Sequence, residues 1–506
     1  MIPRQAIFAG LFWLAVARGA LGAADPESLV QRHWFEARSL HFHTYSCGPT
    51  QEVAKLTARL EQFYEAYSVL AGAEAVASPP IVVMAFPDHA ALKPFLPLYQ
   101  DKPANLAAFF NRGSDENLIA LSLSGGGGSL ELVFHEYTHL LLRHNEQYWP
   151  MWLKEGMAEI YATFEVKGDH AARIGLPLNH HLRVLTERPL LPLKELFAVT
   201  RESPFYNERE PQGTFYAESW LLTHCLMLGG GPARQARFGQ MSALLRLGQA
   251  PEQAFTNAFG MSLAEMEKEL KQYAWKKQLP SLDLAVKSNL NAPRPMGTRG
   301  LGSAEVCFRL GDQLLRLDRQ DDAEKWFLRA RQFAPASPLA FEGLGMLAAR
   351  RKEHAEAERF FHQSLEHGST SFLAHYCYAR EKFQLTARGQ DTYSRLDKQT
   401  AAEIRSELKK SLELMPSFGP GHNLLGFFEL VQGEDLAAAE QHLQAAVRLE
   451  PENESSQFTL AQIQLARNDR VAARRTLEPL RLPYVPDPVR THAQELLQEL
   501  GRAQQP

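Results

Sequence analysis

His135 and His139 stand four residues apart with Glu136 beside the first, inside Leu130–Leu142, a run without Gly or Pro. On a helix, residues four apart lie on one face, one turn above the other. Two imidazoles so placed can hold one Zn²⁺, and the carboxylate between them can reach a water on that ion. The plain alternative is two ordinary histidines on an amphipathic helix. A second segment, Trp152-Leu153-Lys154-Glu155-Gly156-Met157-Ala158-Glu159, starts after Pro150, a helix-start signal. Glu155 follows His139 after 15 intervening residues. A catalytic zinc needs a third protein ligand and one open position. A carboxylate on the next helix can supply the ligand, and the expected chemistry is hydrolysis by activated water.

These two segments together resemble the gluzincin metallopeptidases, whose third zinc ligand is a Glu on the helix after HExxH, often within a WLxEG-type stretch. Trp152-Leu153-Lys154-Glu155-Gly156 matches that stretch. The resemblance implies His135, His139 and Glu155 as ligands of one zinc per chain and Glu136 as general base. Glu159, one turn on, resembles the carboxylate that orients a ligand histidine, a support ligand histidines usually have. The short gap fits the peptidase MA-like proteins of bacteria, and it keeps Glu159 open as an alternative third ligand. Gly213–Leu222 is similar to the YxxSW-type helix of those proteins. Gluzincins place a Tyr or His there for the oxyanion, which implies Tyr216, with Tyr206 behind it and Arg209 as a weaker candidate. A helix-packing role for Tyr216 is the alternative.

The elements that must position these residues are legible in outline. Residues 25–165 read as α+β: a strand within Ser39–Ser46, a helix over Thr50–Leu70, and strands at Ile81–Phe86 and Asn117–Leu123. Ser129 is expected to cap the HExxH helix. In gluzincins the strand before the HExxH helix is the sheet edge beside the cleft, so the resemblance implies that Asn117–Leu123 lies there, where an extended peptide could pair with it. The glycines at 125–128 either admit substrate backbone or merely connect. Residues 166–285 read as a helical second subdomain, and 286–301, rich in Pro, Asn and Gly, as a linker.

From residue 302 a repeat sets in. Leu310-Gly311, Ala323, Phe327 and Ala330 recur as Leu344-Gly345, Ala357, Phe361 and Ser364, 34 residues on. That is the period of tetratricopeptide repeats, stacked helix pairs that present a concave binding surface. Leu425-Gly426, Ala439 and Leu443 make a further copy, and Leu460-Ala461, Ala473 and Leu477 the last. Phe372–Pro416 is a copy swollen by an insertion at 386–400, and Arg490–Leu500 a capping helix. The expected fold is thus an α+β zincin-like peptidase domain followed by an all-α tetratricopeptide solenoid over 302–506.

Composition sets the outer bounds. A chain of 506 residues with 45% hydrophobic and 22% charged residues is ordinary for globular protein. A formal charge of −4 gives no pull toward nucleic acid. Arg4, the apolar run Ala6–Val16 and the small residues 20–24 read as a signal peptide over 1–24, implying export to the periplasm or beyond. No later stretch is apolar enough for a membrane span. Cys47, Cys225, Cys307 and Cys377 are scattered and read as free thiols. The resemblance implies an exported zinc peptidase; aminopeptidase N-type members carry a GxMEN segment that binds the free amino terminus, none precedes His135, and this favours an endopeptidase. The alternatives are an idle zinc-binding scaffold whose repeats bind a protein partner, and a zinc hydrolase of non-peptide substrates.

Overall fold

The computed structural model describes residues 26–71, 81–99, 101–146, 149–200, 203–207, 209–292, 294, 296–387, 395–481 and 485–502. The side chains of 69–71, 127–128, 143–146, 207, 209–212 and 387 fall outside that description, as does the expected signal peptide. The first half runs α1 (Pro26–Val30), β1 (Phe35–Arg38), β2 (Phe42–Ser46), α2 (Thr50–Ala71), β3 (Ile81–Phe86), α3 (His89–Leu92), β4 (Leu98–Tyr99), β5 (Lys102–Pro103), β6 (Ala108–Asn111) and β7 (Asn117–Ser122). There follow α4 (Gly127–Glu146), α5 (Met151–Ala162), β8 (Glu165–Gly168), β9 (Ala171–Ile174), α6 (Asn179–Glu187), α7 (Leu193–Ala198), α8 (Pro204–Asn207), α9 (Arg209–Leu228), α10 (Gly231–Arg246), α11 (Pro251–Phe259) and α12 (Leu263–Ala274). Two strands, β10 (Leu282–Ala285) and β11 (Gly297–Gly300), precede the repeats.

The main sheet has the order β11-β1-β2-β3-β7-β6. Its centre, β2, β3 and β7, is parallel, while β1 and β6 run antiparallel to their neighbours. Successive side chains of a strand point to opposite faces, and here both faces are buried. Ile81, Val83, Ala85, Ile119 and Leu121 pack with Phe134 and Tyr137 of α4. Val82, Met84, Phe86, Leu118 and Ala120 pack instead with Val306, Leu310, Leu314 and Phe327, which lie beyond residue 302.

Four expectations need correction. Asn117–Ser122 is not the sheet edge: β6 lies outside it, paired Ala108 to Leu121 through Asn111 to Leu118. All six β7 side chains are buried, as befits an interior strand. Residues 286–301 are no free linker. Leu290 is buried, its carbonyl accepts from Gln62 Nε2 at 2.9 Å, and β11 pairs with β1 in register Phe35 to Gly300. The 166–285 region is not purely helical, since β8, β9 and β10 form a three-stranded sheet. The HExxH helix starts at Gly127, which puts Ser129 inside its first turn and not before it.

Among the described residues, the repeats are five helix pairs and a final helix. The pairs are α13 (Ser303–Arg316) with α14 (Gln320–Phe333), α15 (Pro338–Arg350) with α16 (His354–Glu366), and α17 (Phe372–Ala387) with α18 (Lys398–Leu414). They continue with α19 (Gly419–Gln432) and α20 (Leu436–Leu449), α21 (Glu454–Ala466) and α22 (Arg470–Leu477), and α23 (Asp487–Arg502) closes the stack. The recurring glycine has a steric reason. A Cβ on Gly311 would sit 2.7 Å from Phe327 Cε1, and one on Gly345 2.9 Å from Phe361 Cε1. Among the described residues, all four cysteines are free and no helix is long and apolar enough to cross a membrane.

Candidate metal centre

α4 and α5 are neighbours, and their contact builds the centre. α5 starts after Pro150, whose carbonyl accepts from the amides of Leu153 and Lys154. Its other side lies close against α9. A Cβ on Gly156 would stand 2.1 Å from Thr223 Oγ1 and 2.4 Å from the Ser219 carbonyl oxygen. The glycine of the WLKEG segment therefore sets the α5–α9 distance, and with it the separation between Glu155 and the Tyr216 helix.

On the α4 side, His135 Nε2 and His139 Nε2 each lie 3.4 Å from Glu155 Oε2. Zinc holds N and O ligands at about 2.0–2.1 Å, so the edge of its tetrahedron is about 3.3 Å. The two measured separations are close to that edge. Glu155 Oε2 is buried without a hydrogen-bond partner, and the three ligand atoms lie within 4.8 Å of one another. This donor set fits a zinc ion, with Glu155 and not Glu159 facing both imidazoles.

Glu159 meets the other nitrogen of His135, with Nδ1 3.5 Å from Glu159 Oε1. Its second oxygen lies 3.2 Å from His181 Nε2. No spacing in the sequence singles out His181; it sits at the start of α6, next to His180, whose Nδ1 is 3.9 Å from Glu131 Oε1. Sequence reading misses both, because adjacent histidines in a loop-to-helix region carry no ligand periodicity. Tyr206 Oη donates to Glu155 Oε1 at 3.3 Å. Tyr216 is buried, its ring 6.3 Å from that of His135 and stacked at 6.2 Å on Tyr206. Arg209 begins α9, and its side chain lies outside the described residues.

The charges are mutually adjusted. Burial alone would raise the Glu155 carboxyl, but His139 and His135 outweigh it and hold it far below the usual range. Burial likewise would raise Glu159, and His181 and His135 bring it down. Burial opposes the charged form of His135, while Glu159 and Glu155 push it above its ordinary value. Glu136 is raised by burial, with both histidines acting against the rise. His180 is depressed to about 4 by burial and by His181. A carboxyl held above its ordinary value suits a group that takes and returns a proton.

The comparisons with known proteins bear on the other half of the chain. The tetratricopeptide-repeat family profile matches residues 430–505. Among solved structures, YrrB, described as a TPR protein with an unusual peptide-binding site, shares 14% identity at a TM-score of 0.31, over 38% of this chain and 92% of its own. TTC0263, a thermophilic TPR protein of Thermus thermophilus, shares 21% at 0.30, over 38% and 99%. Pseudomonas aeruginosa pilF shares 15% at 0.31, over 40% and 89%. No curated protein matches the chain. The chain thus carries tetratricopeptide repeats, an architecture built for protein–protein contact.

Proposed function

We propose that this chain is an exported zinc-dependent peptidase, an endopeptidase, with His135, His139 and Glu155 as its metal ligands. The observation that carries the reading is the pair of 3.4 Å separations converging on one buried, otherwise unpartnered carboxylate oxygen. A zinc ion there would supply Lewis acidity at its open position. The rest falls to the protein. Glu136 takes the proton of the attacking water and returns it to the leaving amine. Glu159 holds His135 through Nδ1, fixing which nitrogen faces the metal. Tyr216, whose ring lies 6.3 Å from that of His135, is the donor we assign to the oxyanion, because the hydroxyl of Tyr206 is directed to Glu155. The edge strand for an extended peptide is β6, in place of β7.

A second reading has its own support. The family profile falls on the repeats, which favours a protein-binding scaffold in which the metal site is idle. One experiment separates the two: cleavage of an unbiased peptide mixture by the full chain, with and without chelator, beside Glu136→Gln. Cleavage lost in both the variant and the chelated protein supports the peptidase. Protein carrying one zinc that cleaves nothing leaves the scaffold. Cleavage of an ester but of no peptide would point to a different hydrolase.

A further inference from the structure

β6 and β7 form a hairpin whose five-residue turn, Arg112–Glu116, points away from the sheet and into the repeats. At one end of the repeats, Arg316 of α13 grips it: Nη1 and Nη2 donate to the two oxygens of Asp115 at 3.2 and 2.7 Å, and Asp312 braces the guanidinium at 3.0 Å. Arg309, two helical turns back along α13, lies 3.5 Å from Glu116. Asn111 Nδ2 donates to the Arg316 carbonyl at 3.3 Å. A Cβ on Gly113 would come within 2.9 Å of Arg316 Nη1.

The same turn also reaches the fourth helix pair. Arg112 is ion-paired with Glu452, between α20 and α21. Gly113, Ser114 and Asn117 share a crevice with Ser417, Gly419, Leu449 and Glu450. A five-residue segment spans at most about 17 Å. Stacked helix layers at about 10 Å spacing would separate the first and fourth pairs by about 30 Å if they ran straight. Contact with both therefore means that the solenoid curls around the turn. Neighbouring first helices touch one another, α13 with α15, α15 with α17 and α19 with α21, which puts them on the inner side of the curve. Arg309, Arg316 and Glu342 lie on these inner helices.

We propose that the concave face of the repeats is a receptor for an acidic turn, that in this chain it is filled by the hairpin tip Ser114-Asp115-Glu116, and that this contact holds edge strand β6 in place. A partner using the inner face then has to displace the tip, and its chemistry is an acidic peptide with adjacent carboxylates. β6 is the strand through which such displacement reaches the site: Phe109 faces the repeat side and Phe110 the α4 side. The consequence for cleavage rests on the peptidase reading; the clamp itself does not.

The test uses the full chain and the double variant Asp115→Ala/Glu116→Ala. Hydrogen exchange is read at Ala108–Asn111, and a labelled peptide of sequence Asn111–Asn117 is titrated in. We expect exchange in β6 to speed at least about tenfold, and the peptide to bind the variant at least about tenfold more tightly than the parent, more weakly at high salt. Unchanged exchange in β6, or equal peptide binding by both proteins, overturns the proposal. Should the double variant not fold, Arg112→Ala removes a more exposed contact; a smaller rise in exchange confined to β6 is expected, and none overturns it. Absence of any cleavage by the parent would remove the peptidase reading and leave the exchange result to stand or fall alone.

Discussion

The two faces of the six-stranded sheet are equally buried and differently used. One face meets α2 and α4, and behind it lie His135, Glu136, Glu155, Glu159 and His181 in a closed network of imidazoles and carboxylates. The other meets α3 and the first repeat through aliphatic and aromatic side chains, with Gln313 and Arg319 donating to the carbonyls of Phe95, Pro94 and Leu96. The first face carries the candidate metal site, and the second joins the sheet to the repeats. A repeat array that looks appended in sequence is one layer of the fold that carries the site.

Removing the second layer should have the largest effect. Deleting 302–506 exposes Val82, Met84, Phe86, Leu118 and Ala120 together, a contiguous apolar patch. The truncated chain should be insoluble or lack a cooperative melt. A soluble product with a sharp transition would show that the halves are separable after all.

On the charged face, effects should fall off outward from the metal. Glu155→Gln should cost more zinc affinity, measured against a chromophoric chelator, than the about 10–100-fold expected for Glu159→Gln as a supporting residue. His181→Phe should cost less again. Equal losses for Glu155→Gln and Glu159→Gln would reopen the choice of third ligand. Glu136→Gln should leave zinc affinity nearly intact.

A steric test comes next. Gly156→Ala forces a methyl against Thr223 and a backbone oxygen, so we expect about 1–3 kcal/mol of destabilisation by denaturant melts. Adding Thr223→Ala should recover part of this and no more, because the Ser219 carbonyl remains.

The mildest test is pH. Glu218, on α9, accepts from the Leu191 amide at 2.6 Å, and burial raises its carboxyl to about 8. Below its unfolded value near 4.5 it is protonated in both states and costs nothing. As pH rises toward 8 the unfolded chain gives up the proton first, so the folded state loses stability. Glu218→Gln should therefore be neutral near pH 4 and stabilising, by on the order of 2–4 kcal/mol, near pH 8. A Tm difference that does not grow with pH would count against a buried, protonated Glu218.

What is legible in the sequence follows from which interactions leave a side-chain pattern. His135, Glu136 and His139 stand out by spacing, since residues four apart share a helix face, and Glu155 stands out through the resemblance of its segment to the gluzincin WLxEG stretch. The repeats announce themselves by Gly311 opposite Phe327 and Gly345 opposite Phe361, a contact that demands the same pair at the same offset. β11 leaves no such mark: its four residues, two of them glycine, are exposed, and it joins the sheet through backbone pairing with β1 and the Arg299–Glu36 ion pair. β6 is four residues long, and the resemblance to gluzincins, where the strand before the HExxH helix is the edge, puts Asn117–Leu123 at the edge in its place. The near-continuous apolar run of β7 already argues for an interior position. His181 depends on the path of α6 across α9, which no local pattern encodes.

The pairing of β1 with β11 also sets a clock. Arg299 closes on Glu36 across 263 residues. At about 5–20 residues per second of synthesis, the first strand waits about 13–50 s for its partner, and longer for Phe327. The half that carries the proposed metal site therefore cannot be finished before the repeats have begun to emerge. A nascent chain of this design has no stage at which that half stands complete on its own, so maturation is timed by the arrival of the segment that follows it.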